Sequence, residues 1–336
     1  MKRLLLAIAF LIAIPVLAGL WLWQDFERFL DRPVNPGGPV QLWVSPGMGH
    51  GALGRELSRL GLLQPDWRWR LSGRILEPAL RSGEYRIETG TSIRRLLAKI
   101  ERGDVVRHRL TIVEGWTFAE LRHALTRDSR LGGELPRDDR ELMNLLDCHE
   151  CLPEGWFLPE TYFFVRQDGA LDLLRRAHQA MQEVLDKAWQ QRDPELPLDT
   201  PYELLILASI IERETGQAAE RDRVAGVFVR RLNIGMRLQT DPTVIYGLDE
   251  SFDGRLRRVH LRTDHPWNTY TRHGLPLTPI ALPGRASIEA AARPADGTEL
   301  YFVSRGDGSH HFSDTLAEHN AAVNRYIRGR GQGGGQ

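Results

Sequence analysis

The chain of 336 residues has no excess of either charge: Lys plus Arg and Asp plus Glu number 44 each. With no global basic field, and no Lys/Arg stripe interleaved with aromatics, nucleic acid is excluded as a partner. Cysteine is scarce. The only two lie in Cys148-His-Glu-Cys151, and a structural zinc site needs about four ligands, which no second pair supplies. In an exported protein the pair reads as a small local disulfide. No His-Glu-x-x-His helix is present among the 11 histidines. His310 and His311 are adjacent on an extended segment and so point to opposite faces, which keeps them from chelating one ion together. His310, His319 and Asn320 are expected to pack and hydrogen-bond around the last strand and helix. There is no Gly-x-Ser-x-Gly element, so the nucleophile-elbow form of serine chemistry is absent. No metal and no cofactor is expected.

One long apolar run exists. Leu4 to Trp23 is twenty residues without a charge, which at a rise of about 1.5 Å spans a hydrocarbon core of about 30 Å. Lys2 and Arg3 favour a cytoplasmic N-terminus, and Trp21 and Trp23 suit the interfacial belt. A signal peptide cut after Val16-Leu-Ala18 is the competing reading, but the apolar run continues past it. Residues 1–24 are therefore read as an uncleaved single-pass anchor, with everything after about residue 25 exported. Between residues 40 and 130 the chain echoes itself. Gly47, Gly90 and Gly115 each follow an extended apolar stretch. Six residues after them come Leu53, Leu96 and Leu121, and ten residues after them Leu57, Ile100 and Leu125. That spacing describes a strand, a glycine turn and a helix with one apolar stripe. The tail after Ile327, rich in Gly, Arg and Gln, reads as disordered.

The most informative segment is Leu204-Leu-Ile-Leu-Ala-Ser-Ile-Ile-Glu-Arg-Glu-Thr215, an almost wholly apolar helix that ends in two glutamates. Thr200 is a suitable N-cap, Pro201 suits the first helical position, and Glu203 completes a capping box. At about 100° per residue, Glu214 falls between Leu207, Ile210 and Ile211, and Glu212 between Leu205 and Ala208. A carboxyl in apolar surroundings has its pKa raised, the condition a general acid needs near neutral pH. The plainer alternative is that both carboxylates pair with Arg213 or Arg221 at the helix end. A second helix follows, with Val224, Val227, Phe228 and Leu232 at helical spacing and Gly235 as its stop. Gln239-Thr-Asp-Pro-Thr243 then reads as a polar loop, and Trp267-Asn-Thr-Tyr270 and Gly274-Leu-Pro-Leu-Thr-Pro-Ile280 as a cluster of aromatic, amide and turn residues. Aromatic faces beside hydrogen-bonding groups suit a sugar ring.

The run from Glu212 to Gly247 closely resembles the YceG-like (MltG) endolytic murein transglycosylases, as do Asn268-Thr-Tyr270, Pro283-Gly284 and the segment from Tyr301 to Asn320. Its centre is Leu-Gln-Thr-Asp-Pro-Thr-Val-Ile-Tyr-Gly, residues 238–247. One departure is the stretch from Gly274 to Ile280, where many members read Gly-Leu-Pro-Pro-Gly-Pro-Ile. The resemblance implies an α+β chain. Residues 38–106 become a LysM-like βα module, 107–150 a connecting βα unit and linker, 151–328 a mixed α/β catalytic domain, and 329–336 a disordered tail. It implies cleavage of peptidoglycan glycan strands between N-acetylmuramic acid and N-acetylglucosamine, with 1,6-anhydro ends. Glu214 is then acid and base, with Glu212 in reserve. Glu212, Gln239, Asp241, Thr243, Tyr246, Asn268 and Tyr270 shape the sugar subsites. The implied place is the bacterial inner membrane with the catalytic domain in the periplasm, and cell-wall synthases are candidate partners. A water-using hydrolase and a non-catalytic glycan-binding scaffold remain as alternatives.

Overall fold

A computed structural model of the chain describes residues 2–34, 37–248 and 251–328. The tail 329–336 expected to be disordered lies outside the described residues. The chain forms two compact units, Met1–His108 with Phe163–Gln167, and Arg109–Tyr162 with Asp168–Gln336.

The first unit begins with α1 (Lys2–Asp31), the one helix among the described residues long and apolar enough to cross a membrane. From Ile8 to Trp23 its side chains are exposed, whereas Phe26, Phe29 and Leu30 are buried, with Val34, in the core of this unit. The same helix is thus apolar all round from Ile8 to Trp23 and one-sided at its end. β1 (Val40–Val44), α2 (His50–Arg59), α3 (Trp67–Ile75), β2 (Gly83–Ile87) and α4 (Ile93–Arg102) follow. β1 and β2 pair antiparallel from Val40↔Ile87 to Val44↔Gly83, and Leu42, Val44, Tyr85 and Ile87 face inward. The echo in the sequence is real structure. Gly47 and Gly90 take φ of 72° and 78°, a left-handed turn that glycine adopts without a Cβ clash, and Leu53, Leu57, Leu96 and Ile100 are fully buried.

The third copy opens the second unit. Gly115, with φ 78°, sits between β3 (His108–Thr111) and α5 (Phe118–Arg127), and Leu121 and Leu125 are buried beneath it. Beyond α6 (Asp139–Asn144) the two cysteines are joined as Cys148–Cys151. Then come β4 (Thr161–Phe164), α7 (Ala170–Gln190), α8 (Pro201–Glu214), α9 (Arg221–Asn233), α10 (Asp241–Leu248), α11 (Arg258–Arg262) and α12 (Arg285–Ala292). α8 is central: all eight residues from Leu204 to Ile211 are buried, because α7, α9, α10 and α12 pack around it. Its start is as expected, with the Thr200 hydroxyl accepting from the Glu203 amide at 3.2 Å and Glu203 reaching back to the Thr200 amide. Gly235, φ 66°, stops α9. One expectation changes. The polar segment 239–243 is loop only at Gln239 and Thr240, since Asp241 opens α10 and Pro242 lies in its first turn, where a missing N–H leaves no bond unmade. A hairpin of β5 (Tyr301–Ser304) and β6 (His310–Ser313) and α13 (Leu316–Val323) complete the unit. His310 packs on Phe302 and His319 stacks on Tyr301, at ring separations of 5.4 and 5.2 Å.

Candidate active site

Glu214 is the last residue of α8, so its carboxyl leaves the apolar core at a helix end and enters a cleft of about 320 Å³. α9 and its C-terminal turn supply Phe228, Arg231 and Leu238, the loop supplies Gln239, and the hairpin and α13 supply Tyr301, Phe302 and His319. Burial raises the pKa of Glu214. The Thr240 hydroxyl, which donates to Oε1, opposes that; the Asp241 carboxylate adds to it, and His310 and Arg231 oppose it; the net direction is up. Asp241 in turn accepts a hydrogen bond of 2.6 Å from the Tyr270 hydroxyl. Burial, then that bond and the two acidic neighbours, hold Tyr270 far above the usual phenol range, so it remains a donor. Neither glutamate at the end of α8 forms an ion pair with Arg213 or Arg221 among the described residues.

Arg231 was not foreseen. Its guanidinium is buried, donates from Nε to the Leu300 carbonyl at 2.7 Å and from Nη1 to the Leu238 carbonyl at 2.5 Å, and lies over the Tyr301 ring. It is a fixed cation on the wall of the Glu214 cleft. The Glu220 carboxylate accepts from the His310 backbone amide and lies 2.8 Å from its Nδ1, which holds the start of β6 beside α9.

The two motifs separated by some thirty residues in sequence are stitched together here. The Gln239 amide donates to the Thr269 carbonyl at 3.1 Å, and the Thr240 amide to the Thr269 hydroxyl at 3.1 Å. Thr243 and Asn268, read in the sequence as sugar-subsite residues, belong to the stitching. Both are fully buried. Thr243 gives its hydroxyl to the Thr240 carbonyl, and the Asn268 amide nitrogen donates to the carbonyls of His260, Leu261 and Thr263 while its oxygen accepts from the Tyr270 amide at 2.9 Å. Buried polar groups take such internal partners because an unmet one costs about 1–3 kcal/mol. Glu212 is also engaged. It accepts from the Gly284 amide at 2.9 Å and the Ser287 hydroxyl at 2.7 Å, placing a carboxylate at the positive N-terminal end of α12. Of the sequence candidates, Glu214, Gln239, Asp241 and Tyr270 share the cleft.

Tyr246 faces elsewhere, and leads to a second carboxyl that sequence reading missed. Its hydroxyl donates to Glu154 Oε2 at 3.1 Å, and the Phe118 amide at the start of α5 donates to Oε1 at 3.0 Å. Glu154 is only 6% exposed. Burial pushes its pKa up to about 7 against these donors. The signal in sequence was a lone charge in an apolar turn, Leu152-Pro-Glu-Gly-Trp156. Gly155, φ 86°, permits that turn, and a Cβ there would meet the Pro279 ring at 2.6 Å.

Known proteins resemble this chain along most of its length. A protein of Bacillus subtilis (strain 168) named endolytic murein transglycosylase is 29% identical over 75% of this chain and 74% of its own. One of the same name from Streptococcus pneumoniae serotype 2 is 22% identical over 91% of this chain, which spans 62% of that longer relative. The crystal structure of a yceG-like protein from Listeria monocytogenes superposes with a TM-score of 0.56 at 26% identity, covering 84% of this chain and 99% of the other. The sequence profile of the YceG-like family matches residues 42–325, and with most of its length inside that match the chain belongs to the YceG-like family.

Proposed function

We propose that this chain is a lytic transglycosylase of peptidoglycan glycan strands. The observation that carries the reading is Glu214: a carboxyl held at the end of a buried helix, its pKa raised by burial, in a cleft with the hydroxyl of Tyr270 and the cation of Arg231. The names of its relatives support the substrate.

In this reaction Glu214 gives its proton to the oxygen joining N-acetylmuramic acid to N-acetylglucosamine as the bond from C1 breaks. The leaving sugar departs with a new hydroxyl. The carboxylate then takes the proton of the muramic C6 hydroxyl, whose oxygen closes on C1 as a 1,6-anhydro ring. The nucleophile is already tethered, so one carboxyl serves where a typical glycosidase needs two. Neither metal nor cofactor enters. Gln239, Asp241 and Tyr270 line the sugar path, and the cut is internal to the strand and ends its elongation. α1 is a single-pass anchor in the inner membrane, the second unit works in the periplasm, and the β1–α2 and β2–α4 repeats form a LysM-like glycan-gripping module within residues 38–106. Residues 107–150 connect it to the catalytic domain, 151–328, and cell-wall synthases are the partners of this assembly.

The test is mass spectrometry of products from uncrosslinked strands. Anhydro ends, lighter by one water than reducing ends, are expected, and Glu214→Gln loses about 10²–10⁴-fold in rate while remaining folded. Reducing ends would make the chain a hydrolase. Unchanged cleavage by Glu214→Gln would remove this carboxyl from the chemistry, and no cleavage by the unaltered protein would leave a scaffold.

A further inference from the structure

α10 walls two clefts. Asp241, its first residue, borders the cleft of Glu214, whereas Pro242, Ile245 and Tyr246 border a separate cavity of about 610 Å³. A smaller adjoining cavity of about 330 Å³ meets it at Glu154, Tyr246 and Trp267. Both volumes fall in the range of small-molecule sites.

The larger cavity offers aromatic carbon, the carboxyl of Glu154, the Arg213 guanidinium and the carboxylate of Glu120, which accepts from the Thr117 amide at 2.7 Å and helps raise the pKa of Glu154. Trp267 and Tyr246 meet edge to face with ring centroids 5.6 Å apart. The indole N–H of Trp267 is already given to the Thr278 hydroxyl at 2.8 Å, so this ring offers the cavity carbon surface. Glu154 receives the Phe118 amide and the Tyr246 hydroxyl, both of them donors. In its protonated form it therefore has a proton of its own to give to an acceptor in the cavity. Arg213 stands at the wall, exposed, held by a bond of 2.9 Å to the Gly115 carbonyl, and no carboxylate pairs with it among the described residues.

We propose that this cavity is a distal subsite holding a peptide-bearing N-acetylated sugar of the glycan strand, with Trp267 beneath the ring, Glu154 on an amide or hydroxyl oxygen, and Arg213 on a carboxylate of the stem peptide. The proposal rests on the transglycosylase reading. A strand that fills both clefts at once must cross the N-terminal turn of α10, so the bond presented to Glu214 lies inside the strand.

The test is equilibrium binding to the full chain in detergent, carrying Glu214→Gln to prevent turnover. The probes are uncrosslinked glycan strands with stem peptides, and the same strands stripped of them by an amidase. Adding Arg213→Gln, at an exposed position, is expected to reduce the preference for peptide-bearing strands roughly tenfold, the scale of one charged contact. Trp267→Ala is expected to weaken both probes by a similar factor, and Trp267→Phe, which keeps an aromatic face, to recover most of it. Affinity for peptide-bearing strands is expected to fall as pH rises through about 7, and Glu154→Gln to remove that dependence. An unchanged preference in Arg213→Gln, or equal affinity of Trp267→Ala and the parent for both probes, overturns the subsite. The reaction reading is judged apart, by anhydro ends formed from the same strands by the unaltered protein. If none form while Arg213→Gln still erases the preference, the subsite stands and the reaction does not.

Discussion

Glu154→Gln yields a stability prediction whose size follows from the structure. The carboxyl is 6% exposed, and burial raises its pKa from 4.5 in the unfolded chain to about 7 in the folded one. A glutamate with a raised folded value contributes stability that is complete below about 4.5 and is lost as pH rises through about 7. Across that window the folded protein holds a proton that the unfolded chain has released, so stability falls by about 1.4 kcal/mol per pH unit. The interval from 4.5 to about 7 amounts to about 3 kcal/mol. Glutamine cannot ionise, and its carbonyl still accepts from the Phe118 amide and the Tyr246 hydroxyl. At pH 4 the variant and the parent therefore agree within about 1 kcal/mol, the worth of one hydrogen bond. At pH 8 the variant is the more stable by about 3 kcal/mol, which raises Tm by roughly 6–12 °C for a unit of this size. The assay is thermal unfolding of the full chain in detergent, followed by calorimetry at half-unit steps of pH. Curves of Tm against pH that run parallel from 4 to 8 would show that the Glu154 carboxyl is not desolvated in the folded protein.

Arg231→Gln removes a cation that lowers the pKa of Glu214, so the limb of the kcat/KM profile that reports loss of the acid proton moves to higher pH; an unmoved limb would mean that Arg231 does not act on Glu214 electrostatically. Asn268→Ala deletes the links to three carbonyls and one amide and lowers stability by roughly 2–4 kcal/mol, read as a fall in Tm, with KM affected little in whatever protein remains folded. Glu212→Gln weakens the join between α8 and α12 by roughly 1–2 kcal/mol yet leaves product chemistry as it was; loss of all anhydro product at full Tm would move the acid two residues upstream.

What the sequence disclosed and what it withheld divide by the distance along the chain between a residue and its partner. The start of α8 was legible because Thr200, Pro201 and Glu203 act on one another within a single turn. The three glycine turns were legible for the same reason, a strand, a left-handed residue and an apolar stripe in about fifteen positions. The bare helix pattern also put Glu214 three residues past the buried run, where the edge of the core opens into a cleft. The partners of polar side chains were not legible from composition alone. Thr243 and Asn268 have the right groups for a sugar, but their partners are the carbonyls and hydroxyls of the protein itself, and nothing in composition distinguishes an amide turned outward from one turned inward. The contacts of Glu212 were hidden likewise, because the amide it caps lies 72 positions later. The two residues missed altogether have the most remote supports. Arg231 is fixed by a carbonyl 69 positions away, and Glu154 owes its burial to Phe118, 36 positions before it, and to Tyr246, 92 after. A buried charge is therefore a signal to seek first in a fold of this kind: it is rare, it demands partners from several elements, and here Arg231 borders one of the two clefts and Glu154 the other.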